Sequence, residues 1–151
     1  MIPPVGHVCL TLLGQNRRIA GGPFDAYAPP AIGVCLEARS IRAGDADILS
    51  PVADFQPPSQ MQLVEGLARL FALLRARPED DVYVGCRAGI GRTGTFIASV
   101  ARMAGIANPV TWTRAHYHPD AVETPAQEAC VAGLDVNSVW QAIARATQQD
   151  E

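Results

Sequence analysis

The stretch Val84-Gly85-Cys86-Arg87-Ala88-Gly89-Ile90-Gly91-Arg92-Thr93-Gly94 decides how this chain folds. Before it, Asp81 to Gly85 is a short β-branched and aromatic run that reads as a core strand. After it, a helical pattern begins near Arg92. A loop between a strand and a helix can turn its backbone N–H groups toward one point, at the positive end of the helix dipole. Gly89, Gly91 and Gly94 remove side chains that would obstruct an anion there. Arg92 follows Cys86 by six residues and can close over the same point with its planar fork. The expected phosphate cradle is therefore the backbone of Arg87, Ala88, Gly89, Ile90 and Gly91 together with Arg92. A cysteine at its base, beside a cation and a helix N-terminus, is favoured as thiolate, the nucleophilic form. Thr93 offers a hydroxyl to the sulfur when it leaves.

Working outward, short apolar runs alternate with longer helical patterns, which predicts α/β architecture. His7 to Leu13 and Ile32 to Leu36 read as buried strands, and Asp47 to Val52 as a third. Gly14 to Ala31 is crowded with Gly and Pro and reads as an irregular loop. Ser59 is a helix N-cap with Gln62 completing a capping box. Met61, Val64, Leu67, Ala68, Phe71 and Leu74 then recur at helical spacing up to about Arg77. Further helices are expected over Val110 to His116 and Thr124 to Ala146. The expectation is one domain over residues 1–151. Its centre is a mostly parallel sheet of four or five strands with helices on both faces, the site lying at the carboxyl ends of the strands.

Cys86 to Gly94 resembles the Cys-x5-Arg-Ser/Thr signature of the protein tyrosine phosphatase superfamily, in a form close to its tyrosine-specific members. The resemblance implies a cysteinyl-phosphate mechanism without cofactor or metal. Gly85 departs from it, since the residue before the nucleophile is usually His. Val52-Ala53-Asp54-Phe55-Gln56-Pro57-Pro58 resembles the family's mobile acid loop, with Ala53 standing where Pro is common, and makes Asp54 the implied general acid and afterwards the base on the hydrolytic water. Val122 to Val131 resembles the glutamine loop, which makes Gln127 the residue that would orient the hydrolytic water. The chain's size is similar to that of the compact dual-specificity and bacterial members.

The implied activity is phosphomonoester hydrolysis on phosphotyrosine, with phosphoserine and phosphothreonine open, in a phosphorylated protein or a small phosphomonoester. Two alternatives remain at this point. One is an inositol phosphate or phosphoinositide phosphatase, disfavoured because Arg87 is the single extra base in the loop. The other is a phosphate-binding module that has lost turnover, suggested by Gly85. The four cysteines are scattered, without metal-ligand or disulfide spacing, and His116 with His118 lacks a third ligand. A net charge of -3 argues against a nucleic-acid partner. No apolar stretch is long enough for a membrane span, and the start lacks a secretory pattern. A cytoplasmic monomer is the expectation. Cys9 and Cys35 are read as buried strand residues, and Arg17 and Arg18 as solvated side chains or substrate contacts.

Overall fold

In a computed structural model, residues 4–149 are described. The elements are β1 (Gly6–Leu12), β2 (Gln15–Pro23), β3 (Ile32–Cys35), β4 (Ile48–Leu49), α1 (Gln60–Ala76), β5 (Val82–Cys86), α2 (Gly91–Met103), α3 (Pro109–His116), α4 (Pro125–Ala132) and α5 (Val136–Gln149). One sheet takes the order β1-β2-β5-β3-β4. The β1–β2 pair is antiparallel and the other three pairings are parallel. The expected α/β class, strand number and mostly parallel sheet are all found.

The segment read as an irregular loop is largely strand β2. Leu13 and Gly14 both have positive φ, +53° and +79°, and link a hairpin whose last pair is Leu12 with Gln15. That is the two-residue primed turn whose twist suits a hairpin, but it is made with Leu-Gly instead of the Asn-Gly or Asp-Gly that signals it in a sequence. The glycines and proline that suggested a loop lie at the end of β2, where the strand runs beside β5. Arg17 is also not a solvated side chain. It is buried, and its guanidinium donates to the carbonyls of Leu74 (2.9 Å), Arg77 (2.8 Å) and Asp80 (2.7 Å). It thereby satisfies the acceptors left over at the C-terminal end of α1.

Side-chain alternation sends Val8, Leu10, Leu12, Ile19, Ile32, Val34, Ile48, Val82 and Val84 into the main core. Leu63, Leu67, Leu70 and Leu74 of α1 meet them, as do Phe96, Ile97 and Val100 of α2 and Val139 and Ile143 of α5. Each such side chain contributes about 1.5–3 kcal/mol on burial. The other face has helical cover of a different kind. The 3-10 turn Phe24–Ala26 places Phe24 with Tyr27 and Cys35 in a small second cluster, against which Tyr83 and Ala43 of a second 3-10 turn, Ala43–Asp45, pack. Cys9 is exposed, because the outer side of edge strand β1 has no layer over it.

Ser59 caps α1 as expected, its Oγ accepting from the Gln62 N–H at 3.1 Å. The Gln62 side chain does not complete the box. It reaches Ser50 Oγ (3.1 Å) and the Pro51 carbonyl (2.7 Å), and so ties down the start of the segment that carries Asp54. The single helix read over Thr124 to Ala146 is two. Gly133 caps α4, and Asp135 restarts the chain by accepting from the Ser138 N–H (3.3 Å) and hydroxyl (2.9 Å). Among the described residues, no helix is long and apolar enough to cross a membrane.

Candidate active site

The carboxyl end of β5, at the centre of the sheet, delivers Cys86 to the start of α2, and α2 lies almost wholly in the interior. Ile90 supplies no side-chain cap to α2. The first-turn N–H groups of that helix are thus left for another acceptor. The loop between them is held from behind. Gly89 has φ +81°, and an added Cβ there would lie 2.3 Å from the backbone of Gly22 on β2. The buried Tyr117 hydroxyl donates to the Gly89 carbonyl. Burial, and secondarily the charge of Cys86, push the Tyr117 and Tyr83 phenols up, Tyr83 to about 12. Both remain neutral donors at ordinary pH.

The Cys86 sulfur accepts from the Gly89 N–H at 3.2 Å and from the Thr93 hydroxyl at 3.1 Å. Arg92, 4% exposed, is oriented along one edge of its guanidinium. Nη1 donates to the Val52 carbonyl (2.6 Å) and more weakly to that of Leu36 (3.4 Å), and pairs with Glu37 Oε2 at 3.0 Å. The other edge, Nε and Nη2, has no hydrogen-bond partner among the described residues. Asp54 Oδ1 stands 3.7 Å from Nη2, an ion-pair separation too long for a hydrogen bond. A buried planar fork with two free donors beside a sulfur is complementary to two oxygens of a phosphoryl group.

Glu37 went unnoticed in the sequence, where it merely ends the strand run Ile32 to Leu36. It is 8% exposed. Its carboxylate is lowered from 4.5 to about 2, chiefly by the hydrogen bond from Arg39 Nε at 3.1 Å, against an opposing effect of burial, with Arg92 helping. Because the folded value is depressed, the stabilisation is complete above the ordinary carboxylate range and is lost as pH falls from about 4.5 toward 2. Glu37→Gln is therefore expected to cost about 3 kcal/mol at neutral pH. It should also flatten the drop in melting temperature between ~pH 6 and ~pH 3. Thermal unfolding of both proteins at the two pH values checks this, and parallel losses would show that Glu37 is not the titrating clamp.

Two clefts meet at Cys86 and Arg87. One, of about 360 Å³, is walled by Asp54, Phe55, Ala88, Gly91, Arg92 and Glu123. The other, of about 270 Å³, is walled by Asp25, Glu37, Arg39 and Ser40. The fold thus brings Asp54 to Cys86, Arg87, Arg92 and Thr93, two segments separated in the chain. Gln127 is placed differently. It is 0% exposed, and its Oε1 accepts from the N–H groups of Glu123 (2.7 Å) and Thr124 (3.2 Å) while Nε2 reaches the Gln56 carbonyl (3.4 Å). It joins the Asp54 segment to the start of α4. His116 and His118 are engaged locally, with the Trp112 carbonyl and the Asp120 N–H.

A family model described as Tc-R-P, polymorphic toxin system, DSP-PTPase phosphatase, matches residues 35–105, from the end of β3 through α2. An uncharacterized protein of Methanocaldococcus jannaschii, MJ0215, is 37% identical over 83 residues, which are 54% of this chain and 50% of that protein. The chain therefore spans about half the length of this curated relative. Among solved structures, the active form of Tk-PTP superposes with TM-score 0.59 at 23% identity, covering 83% of this chain and 95% of that one. Kinase associated phosphatase, with its catalytic cysteine replaced by serine, gives 0.61 at 13%, over 87% and 94%. PTPMT1 in complex with PI(5)P gives 0.51 at 20%, over 77% and 81%. The α/β fold is common to all three structures, and the matched family segment contains Asp54 and the entire loop from Cys86 to Arg92. The chain thus has the fold of these phosphatases, and its residues 35–105 match a DSP-PTPase phosphatase family model.

Proposed function

We infer that this protein hydrolyses phosphomonoesters through a cysteinyl-phosphate, acting on phosphotyrosine, with phosphoserine and phosphothreonine as further substrates. The observation that carries the reading is the free Nε and Nη2 edge of Arg92, buried beside a sulfur that already accepts two hydrogen bonds. Arg92 and the loop N–H groups from Arg87 to Gly91 bind the phosphoryl oxygens, and their fixed charge and dipoles offset the charge that builds up in the transition state. The Cys86 sulfur attacks phosphorus in line, and the ester oxygen leaves with a proton from Asp54. Thr93 stabilises the sulfur, which carries negative charge again when the intermediate breaks down.

A specific observation favours a second substrate class. Arg39 adds a mostly exposed guanidinium to the cleft that Arg87 shares, so the site has two bases beyond Arg92 for a second anionic group. Inositol phosphates and phosphoinositides carry such groups, and the similar fold of PTPMT1 has been seen with PI(5)P. The test is hydrolysis of p-nitrophenyl phosphate in excess chelator, followed by mass analysis of acid-quenched protein. Chelator-insensitive turnover with one phosphoryl group on the Cys86 peptide is the expected result. Metal-dependent turnover, or a folded protein that binds phosphate without turning over, would overturn it. Relative kcat/KM on a phosphotyrosine peptide and on inositol phosphates then separates the two substrate classes.

A further inference from the structure

Resting on the phosphatase reading above, we propose that Glu123 is a further catalytic residue, which orients and deprotonates the water that hydrolyses the cysteinyl-phosphate. Three observations converge on it. The first is its position. Glu123 lines the same cleft as Cys86, Arg92 and Asp54, and its carboxylate lies directly over Gly91 at the start of α2. An added Cβ on Gly91 would stand only 1.7 Å from Glu123 Oε1. A side chain at Gly91 would have to displace this carboxylate from the place it takes.

The second is how the backbone holds it there. Val122 is β-branched yet has φ +62°, a conformation that such residues adopt only when their surroundings impose it. The surroundings are identifiable. Arg114 donates to the carbonyls of Ala121 (2.9 Å) and Val122 (2.6 Å), and the Glu123 N–H donates to Gln127 Oε1 at 2.7 Å. Strain held in this way, one residue before an exposed carboxylate that faces a nucleophile, serves to aim that carboxylate.

The third is the division of labour. Gln127 has both ends of its amide committed to backbone groups, so holding a water would mean giving up the bonds that fix the loop. The Glu123 carboxylate accepts no hydrogen bond among the described residues and is available to one. After the leaving group departs, a water in the cleft can donate to Glu123 and face phosphorus. The water oxygen then forms the new P–O bond while one of its protons passes to the Glu123 carboxylate. The S–P bond breaks with its electron pair returning to the Cys86 sulfur. Inorganic phosphate leaves, and the carboxyl returns its proton to solvent.

The test is rapid-quench hydrolysis of p-nitrophenyl phosphate by wild type, Glu123→Gln, Glu123→Asp and Asp54→Asn. Glu123→Gln is expected to keep a fast burst of about one p-nitrophenol per enzyme and then turn over about 100-fold more slowly, the scale of losing a general base. Phosphorylated Cys86 should accumulate in the quenched protein. The acidic limb of the kcat pH profile should move in the Gln variant, and the Asp variant should recover part of the rate. Asp54→Asn should instead slow the burst itself. A steady-state rate unchanged in Glu123→Gln, or a burst and steady state lost in equal proportion, would overturn the assignment. Wild type with neither burst nor turnover would overturn the phosphatase reading, and this assignment with it.

Discussion

Replacing Cys86 by serine is expected to lower turnover of p-nitrophenyl phosphate by on the order of 10³-fold or more, with the melting temperature unchanged. The exchange keeps the shape of the side chain. A serine Oγ can still accept from the Gly89 N–H and the Thr93 hydroxyl, which now bond to sulfur at 3.2 and 3.1 Å. What is lost is the nucleophile, since a hydroxyl in this setting has no base among its partners to ionise it. Phosphate should still bind, because the loop N–H groups and the free edge of Arg92 are untouched. The measurement is turnover beside competition by inorganic phosphate and a thermal melt. Residual turnover above a few per cent would locate the nucleophile elsewhere. A collapsed melt would mean that the sulfur also holds the loop together.

Gly85→His, which restores the residue usual in the superfamily, is expected to destabilise the protein instead of activating it. A Cβ added at Gly85 would lie 2.7 Å from the N and Cα of Phe24 and 2.8 Å from its Cβ. Most of those atoms are backbone, and Phe24 is 0% exposed and stacked on Tyr27 with ring centroids 4.8 Å apart. The 3-10 turn therefore has nowhere to retreat without opening the second face of the sheet. Overpacking against main chain lies at or beyond the upper end of the usual 1–3 kcal/mol, so a loss of at least about 3 kcal/mol is expected. That corresponds to a fall in melting temperature of roughly 6–12 °C for a chain of this size. Gly85→Ala should show much of the same loss, since the clash begins at Cβ. A histidine variant that melts with wild type and turns over faster would refute the packing argument. Gly85 is thus a consequence of how this chain covers its sheet, and no sign of a decayed site.

The sequence by itself determined the elements whose information is local. The strand–glycine loop–helix run from Val82 to Met103 carries its own periodicity, its own glycines and the six-residue offset of Arg92 from Cys86, so the loop is legible in the residues alone. The same holds for the N-cap at Ser59 and for an aspartate on a proline-bounded loop at Asp54. Strand β2 was hidden because its turn uses Leu13-Gly14 and its far end is small and Gly-rich. The break at Gly133 and Asp135 was available in the residues, a glycine followed by a capping aspartate, but the apolar pattern runs across it. Tertiary structure alone decided the rest, because those contacts join residues far apart in the chain. Glu37 and Val52 orient Arg92 across 55 and 40 residues of separation. Phe24 forbids a side chain at Gly85, Arg17 caps a helix 57 residues away, and Glu123 is brought over Gly91. Hydrophobic period and turn chemistry specify a neighbourhood of a few residues. Which charge faces which sulfur depends on how the sheet and helices pack, and no local pattern records that.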